Sequence, residues 1–313
     1  MVFSSITFLL YFLPITFLGY YLFAFSRPLQ NIWLVIVSLG FYAWGEPIYV
    51  FLMLASITFN WLFGLMLMLI RKDNVKARRL VLIAACVLNL GMLGVFKYAG
   101  FVVETVNGIM ERPFLPYPNI VLPIGISFFT FQALSYVIDV YMGSAEPQKN
   151  LLDIALYVAF FPQLIAGPIV KYSAIAEQIK NRRTDLSMLT EGICRFSEGF
   201  CKKILIANNL AVVADTVFNL TKGGDTSIPV PMLLAWLGAV SYMFQLYYDF
   251  SAYSDMAIGL GLMFGFRFSE NFRYPFVSRS IREFMTRWHI SLASWFSQYV
   301  YKPLGGANTK KKD

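Results

Sequence analysis

Long uncharged stretches alternate with short polar loops along the first quarter of the chain. Apolar runs cover residues 6–25, 32–44 and 48–70, and prolines 28 and 47 stand in the loops between them. About 20 apolar residues span the hydrocarbon core of a bilayer, and a proline in a loop prevents two helices from merging. The pattern therefore predicts three membrane helices joined by short connections.

The rest of the chain carries further apolar segments with different interruptions. Residues 80–96 and 120–138 each predict a crossing, with an external connection over 97–119. Segment 154–170 contains Pro162, Gly167 and Pro168, which predicts a broken or re-entrant segment that borders a cavity, because such backbone survives at membrane depth only where protein or water covers it. Segment 186–217 carries Arg195, Glu198, Lys202 and Lys203 among its charged residues and predicts an interfacial amphipathic helix, whereas the apolar segment 230–268 is interrupted by Asp249 and Asp255.

The composition supports lipid as the solvent of most of this surface. Hydrophobic residues make up 58% of the 313 positions and charged residues 14%, against about a quarter charged in soluble domains. The apolar excess extends over the whole length without a long polar block. We therefore expect one membrane-embedded domain over 1–313, all-α, built as a multi-pass transmembrane helical bundle with broken or re-entrant segments.

The net charge of +8 indicates cytoplasmic loops rather than a nucleic-acid surface, since basic residues concentrate on the cytoplasmic side of membrane proteins. The densest basic loop spans residues 71–79 and is placed in the cytoplasm, with the N-terminus outside. The lipid bilayer is thus an expected partner, and nucleic acid is not. Cys86, Cys194 and Cys201 show no ligand spacing, so we expect no disulfide and no metal, and interpret all three as packing residues.

His289 is the single histidine of the chain and lies between Trp288 and Ile290. An imidazole with a near-neutral pKa can serve as a general base or as a hydrogen-bond donor at a hydroxyl or thioester. The alternative is an interfacial histidine among belt aromatics such as Trp288 and Trp295, and spacing alone favours that alternative.

A second polar group follows the apolar run 230–247. On a helix Tyr248, Ser251 and Asp255 share one face, and Asp249 and Tyr253 pair on another. Acids at membrane depth tend to face a cavity, although they also act as structural clamps between helices. Asp139 at the end of 128–139 is either a cavity acid or, as we favour, the end of a helix.

Four motifs together resemble the membrane-bound O-acyltransferase family in order and spacing. They are LPIGISF at 122–128, FPQLIAGPI at 161–169, YDFSAYSDM at 248–256 and RWHISL at 287–292. The ending YVYKPLGG at 299–306 is similar to the bacterial subgroup that contains alginate and peptidoglycan O-acetyltransferases and the teichoic acid D-alanyl transfer protein. G-x-S-x-G, P-loop and dinucleotide motifs are absent from the sequence, which leaves a soluble hydrolase or a nucleotide-dependent enzyme unsupported.

The resemblance implies an O-acyltransferase of the bacterial plasma membrane with no bound cofactor. An acyl thioester, acetyl-CoA or an acyl carrier protein, would be the co-substrate on the cytoplasmic side, and an exported polysaccharide or an acetylation partner protein would accept on the other. His289 is the implied catalytic residue. The implied site support comprises Trp288, Ser291, Trp295, Tyr248, Asp249, Ser251, Tyr253 and Asp255.

The chain also departs from the family pattern. The family has a second histidine in a later helix, so we expect this sequence to be an N-terminal portion without the C-terminal helices. Met285 and Thr286 replace the usual Trp and Arg, and Ser297 and Gln298 replace a frequent Arg-Asp pair. Two other functions stay open: a non-catalytic membrane subunit of an acyl-transfer system and, with less support because no internal repeat is visible, a transporter.

Overall fold

The computed structural model describes residues 2–306 apart from 111, 113, 166 and 223–230. All regular structure among these residues is helical, as the sequence predicts. The thirteen α-helices of this described part, some extended by short π-helical stretches, are numbered here in chain order. Three helical segments are long and apolar enough to cross a membrane within the described residues, at Tyr49–Leu69, Val75–Ile109 and Leu186–Leu220.

The first three predicted helices form close to their expected positions. A π-helical turn at Phe8–Phe12 leads into α1, and prolines occupy the first turns of α1 and α2, where the missing amide hydrogen costs nothing. The bounds are Leu13–Leu22 for α1, Arg27–Gly45 for α2 and Tyr49–Leu69 for α3.

The fourth helix is much longer than predicted. Helix α4 runs from Val75 to Ile109 without interruption, whereas the sequence-based prediction ended it at residue 96 and placed an external connection from residue 97. Lys97 alone does not stop a helix, and the first proline after it is Pro113. The expected surface connection therefore starts about a dozen residues later than predicted.

The middle of the chain contains the predicted break. Helix α5, Ile126–Met142, lies between Gly125 and Gly143, which both adopt the left-handed conformation. Helix α6, Leu151–Ala159, stops at Phe160, the short α7 covers Phe161–Leu164, and α8 covers Tyr172–Asn181. Residues 154–164 are buried almost completely, so protein covers the irregular backbone, as it must at membrane depth.

The segment predicted to be interfacial is instead part of one long helix. Helix α9, Leu186–Cys201, continues through a π-helical stretch, Lys202–Ala207, into α10, Asn208–Lys222. By length and hydropathy it is a candidate membrane span, whereas the sequence predicted an interfacial helix. Its three basic residues Arg195, Lys202 and Lys203 lie against acidic residues of α11, Met232–Met263, so pairing reduces their cost inside an apolar helix.

Helices α9 and α11 pack with their backbones in close approach. A methyl group at Gly259 would lie 2.6 Å from the carbonyl oxygen of Gly192 and 2.5 Å from the amide nitrogen of Phe196. Small residues permit such contacts between membrane helices. Neither glycine can gain a side chain without a displacement of the other helix.

Gly259→Ala is therefore expected to lower the thermal midpoint of the detergent-solubilised protein. The added methyl group overpacks the α9–α11 contact at a cost of about 1–3 kcal/mol. Gly91→Ala is the matched control, because a Cβ there meets no atom within 4 Å and alanine favours a helix. Equal midpoints for Gly259→Ala and the unchanged protein would contradict the close packing.

Short helices surround His289 in the last described part of the chain. A 3₁₀ turn at Pro275–Val277 precedes α12, Ile281–Arg287. Helix α13, Ile290–Phe296, is followed by a π-helical turn at Ser297–Tyr301.

Helix α1 contacts the end of α11 in the core, where the Tyr20 hydroxyl donates to the carbonyl of Phe264 at 2.8 Å.

The cysteines differ from the packing interpretation. Cys86 is half-buried, whereas Cys194 and Cys201 are exposed on α9. The interpretation as packing residues is thus wrong for these two, since neighbouring apolar sequence in a membrane helix does not distinguish a lipid-facing position from a buried one.

Candidate functional site

His289 lies at the corner between α12 and α13. Its backbone is left-handed, with φ 46° and ψ 53°. This conformation costs energy for most residues, but histidine adopts it several-fold more often than other non-glycine residues do on average. The corner is fixed by a backbone pairing with an upstream loop: Arg273 N donates to Arg287 O at 3.0 Å, and Ile290 N donates to Asn271 O at 2.9 Å.

The side chain of Asn271 occupies the centre of this corner and is fully buried. Its Oδ1 lies 3.1 Å from His289 Nδ1 and accepts from Ser291 Oγ at 2.8 Å and from Ser291 N at 3.2 Å. Ser291 is therefore joined to His289 through Asn271. Sequence reasoning missed Asn271, because nothing in its local pattern distinguishes it from an ordinary loop asparagine.

The broken segment after α7 reaches the same corner. Ile169 N donates to Ser291 Oγ at 3.0 Å, and Lys171 Nζ donates to Ser294 Oγ at 2.7 Å and to Gln298 Oε1 at 2.6 Å. Two motifs that are more than 100 residues apart in sequence thus form one structural unit.

Aromatic rings surround the imidazole. The Phe250 ring lies 4.8 Å from the His289 ring with its plane tilted by 74°. Phe272 contacts both Phe250 and Trp288, at centroid distances of 5.0 and 5.2 Å, and Trp288 also stacks on Phe284. Burial among these groups lowers the pKa of His289, which lies outside the long membrane helices, to about 4. The imidazole is therefore neutral at pH 7.

Trp295 does not join this aromatic wall. It is 3% exposed, its ring lies 4.6 Å from that of Phe131, and its Nε1 donates to the Phe131 carbonyl. It packs in a separate hydrophobic cluster that includes Ile169 and Tyr299. Only one of the two predicted tryptophans contacts the rings beside the histidine.

Asp139 lies near the end of α5, as favoured, but it is completely buried. Its carboxylate accepts from Tyr299 Oη at 2.8 Å and from the amide of Ser173 at 2.9 Å. These partners join α5 to α8 and to the π-helical turn after α13, so Asp139 is a structural clamp in this arrangement.

The predicted acidic residues on α11 form ion pairs with α9. Asp255 Oδ1 lies 2.6 Å from Arg195 Nη2, and its Oδ2 lies 2.6 Å from Lys202 Nζ. Asp249 pairs with Lys203 at 2.6 Å. Carboxylates held by fixed cations cannot serve as ready sites for a coupling ion, which weighs against the transporter alternative.

Glu270 extends this network, since it accepts from Arg195 at 2.7 Å. A cavity of about 230 Å³ lies here. Ser251 and Asp255 both line this cavity, as their shared helix face predicts. Tyr248, which was predicted on the same face, is not among the lining residues, and Tyr247 lines the cavity instead. The cavity is lined by Arg195, Glu198, Lys202, Tyr247, Ser251, Asp255, Glu270, Phe272, Arg273 and Tyr274.

The two remaining predicted tyrosines lie elsewhere. Tyr253 stacks on Phe3 with ring centroids 4.6 Å apart and belongs to the main core. Tyr248 packs beside Phe244 and Tyr247. The predicted YDFSAYSDM cluster therefore divides between the cavity, an ion pair and the core.

Comparison with known proteins identifies the group to which this arrangement belongs. The profile of the membrane-bound O-acyltransferase family matches residues 144–313, which include the broken segment, the α9–α11 network and the His289 corner. The chain belongs to this family. It is 46% identical, over 98% of its length, to probable alginate O-acetylases of Pseudomonas syringae pv. tomato and Pseudomonas aeruginosa.

The chain is also 36% identical, over 99% of its length, to a peptidoglycan O-acetyltransferase of Helicobacter pylori. It spans 58% of the two Pseudomonas proteins and 63% of the Helicobacter protein. The resemblance seen in the four motifs is thereby confirmed at the level of the family.

One departure from the family pattern now has a structural meaning. Gln298, which stands where many members have Asp, accepts from Lys171, and burial lowers the pKa of that lysine below its ordinary value. Lys171 thus reaches two neutral partners, Ser294 and Gln298, at hydrogen-bond distance. An aspartate at 298 would supply a charge-assisted bond to the α13 end of the site.

Gln298→Asp is therefore expected to raise the thermal midpoint. The bond to Gln298 already has a charged donor, and an aspartate adds the opposite charge, which gains up to about 1 kcal/mol at partly exposed groups. Gln298→Leu removes the acceptor and should lower the midpoint. The gain from Asp should vanish in a Lys171→Met background, and a gain that persists there would contradict the Lys171–Gln298 contact.

Proposed function

We propose that this protein is an O-acyltransferase that acetylates an exported polysaccharide, with a thioester as acetyl donor. The observation that carries the proposal is the half-buried, neutral imidazole of His289, held by Asn271 at the point where the broken segment meets α13. A neutral imidazole in a partly water-excluded corner suits proton transfer from a hydroxyl.

The reaction needs two proton transfers, one from the acceptor hydroxyl to His289 and one from His289 to the leaving thiolate. The hydroxyl oxygen of the acceptor attacks the thioester carbonyl carbon, and His289 takes the hydroxyl proton as the new C–O bond forms. The C–S bond breaks, and the proton passes to the departing thiolate. Trp288, Phe250 and Phe272 exclude water, which would otherwise hydrolyse the thioester.

The family relationship and the activities for which the relatives are named support a specific donor and acceptor. The donor is acetyl-CoA or an acyl carrier protein that approaches from the cytoplasm. The acceptor is a periplasmic or extracellular polysaccharide of the alginate type, reached directly or through acetylation partner proteins. The relatives are named for O-acetylation of alginate and of peptidoglycan, which supports a polymer hydroxyl as the acceptor.

The proposed location is the bacterial plasma membrane, crossed several times. The membrane character follows from the family and from the long apolar helices. The basic cluster at residues 71–79, which covers the α3–α4 loop and the start of α4, supports a cytoplasmic position for that end of both helices.

A gene deletion tests the function. The O-acetyl content of the exported polysaccharide, measured by alkaline release of acetate, should fall to background in the deletion strain and recover when the intact gene is restored. An unchanged ester content, with the polysaccharide still produced, would refute the proposal.

A further inference from the structure

Asn271 is a fully buried polar side chain whose position is determined by several partners. Its carbonyl oxygen faces three groups, His289 Nδ1, Ser291 N and Ser291 Oγ, at 2.8–3.2 Å. The backbone carbonyl of Asn271 also accepts from Ile290 N. The Asn271 Nδ2 is buried without a hydrogen-bond partner among the described residues, so the oxygen alone sets the orientation of the side chain.

The contact with Ser291 decides which end of the amide faces the histidine. A backbone N–H can only donate, so the atom 3.2 Å from Ser291 N must be the oxygen of the Asn271 amide. Ser291 Oγ accepts from Ile169 N, and its own hydrogen goes to the Asn271 oxygen at 2.8 Å rather than to His289 Nδ1, which lies farther away at 3.5 Å. A flipped amide would place its NH₂ against the Ser291 N–H.

The orientation of the amide in turn sets the tautomer of His289. A neutral imidazole has one nitrogen with hydrogen and one without. Because Nδ1 faces an amide oxygen at 3.1 Å, a bare Nδ1 would oppose two lone pairs, whereas Nδ1–H donates. We propose that Asn271 is a positioning residue that fixes His289 as the Nδ1–H tautomer and leaves Nε2 as the atom that accepts the proton.

The catalytic meaning of this assignment rests on the proposed function. The hydroxyl proton goes to Nε2 and from there to the thiolate sulfur, while Nδ1–H stays bonded to Asn271 throughout. A neutral partner holds the ring without favouring imidazolium, whereas a carboxylate at the same place would stabilise the charged form. Asparagine therefore orients the ring and keeps it neutral.

The tautomer can be read from the ring resonances of His289, which are identified as those missing from the spectrum of His289→Gln. In protein labelled with ¹⁵N-histidine, Nδ1 should show the resonance of a protonated nitrogen and Nε2 that of a bare nitrogen at pH 7. This measurement on the unchanged protein needs no substrate. A bare Nδ1 with a protonated Nε2 would overturn the inference.

Substitutions separate the amide from a general packing role. Asn271→Asp should keep Nδ1–H and raise the pH at which the ring titrates, whereas Asn271→Leu should give a mixture of tautomers. Asn89→Leu is the matched control, since Asn89 is a buried asparagine that pairs with Asn60 in another part of the fold. A ring spectrum unchanged in folded Asn271→Leu would contradict the inference.

Kinetics adds a second readout. Asn271→Leu should lower kcat of acetyl transfer by about 100-fold with little change in KM, since misoriented catalytic groups cost about that factor. Asn271→Asp should recover most of the rate with its acid limb at higher pH. If His289 is found as the Nδ1–H tautomer in a protein that transfers no acetyl group, the role of Asn271 is supported and only the proposed function is refuted.

Discussion

Replacement of His289 by glutamine is expected to abolish acetyl transfer while the protein still folds. General acid–base groups contribute about 10²–10⁴-fold to rates. The glutamine side chain of this variant can keep a hydrogen bond to Asn271 but cannot take a proton. The measurement is the O-acetyl content of the exported polysaccharide, normalised to the amount of protein in the membrane.

Thr286→Ala provides the control for this result, because Thr286 is exposed on α12 and its hydroxyl bonds only to the Glu283 carbonyl among the contacts described. That variant should retain the acetyl content of the unchanged protein. If His289→Gln acetylates as well as Thr286→Ala, the imidazole takes no part in the chemistry and the non-catalytic alternative is favoured.

The pH dependence should show the same histidine. Since burial lowers the pKa of His289 to about 4, its neutral form persists well below the ordinary histidine range. The acid limb of kcat/KM that belongs to the free enzyme is therefore expected below about pH 5. A limb near the ordinary value of about 6.5 would show that the ring is solvated in the working enzyme.

Loss of the Asp255 carboxylate is expected to be the most destabilising single change in the α9–α11 interface. The Asp255 side chain is 8% exposed and pairs with both Arg195 and Lys202. Asp255→Asn leaves two cations without their shared partner. Breaking a buried pair costs about 3–5 kcal/mol, and the partial exposure of the two cations reduces this to about 2–3 kcal/mol.

Asp249→Asn is the matched comparison, since Asp249 is 39% exposed and has one cationic partner, Lys203. Its effect on the thermal midpoint should be clearly smaller. Asp255→Asn combined with Lys202→Met should recover part of the loss, because Arg195 keeps its pair with Glu270 whereas Lys202 is left without its acidic partner. Equal effects of Asp255→Asn and Asp249→Asn would contradict the central position of Asp255.

The sequence predicted most helices because apolar length and proline position act locally. Pro162, Gly167 and Pro168 indicated the break in the middle of the chain, and the structure places it at Phe160 and beyond. The two errors have one cause. Charge at Lys97 and at Arg195, Lys202 and Lys203 was taken as a sign of the membrane boundary. Helix α4 nevertheless continues past Lys97 to Ile109, and the other three charges are paired with acidic residues of α11.

The site could be predicted only where a residue was unusual by itself. His289 was found because it is the single histidine, and Asp249 and Asp255 because they interrupt an apolar run. Asn271 and Glu270 were missed because their significance comes from partners 18 and 75 positions away. Trp295 was assigned to the wrong side of the corner, since sequence adjacency does not determine which cluster a ring joins.

The most direct test measures acetyl transfer by the native gene product itself. The protein, as the cell makes it, is purified with its natural partners into lipid vesicles and supplied with radiolabelled acetyl thioester and an unacetylated polysaccharide. We predict alkali-labile label on the polysaccharide with the unchanged protein and background label with His289→Gln. Equal label from both proteins would contradict an acyltransferase site at His289. Background label from both proteins, in vesicles in which the natural partners are shown to be bound, would contradict it as well.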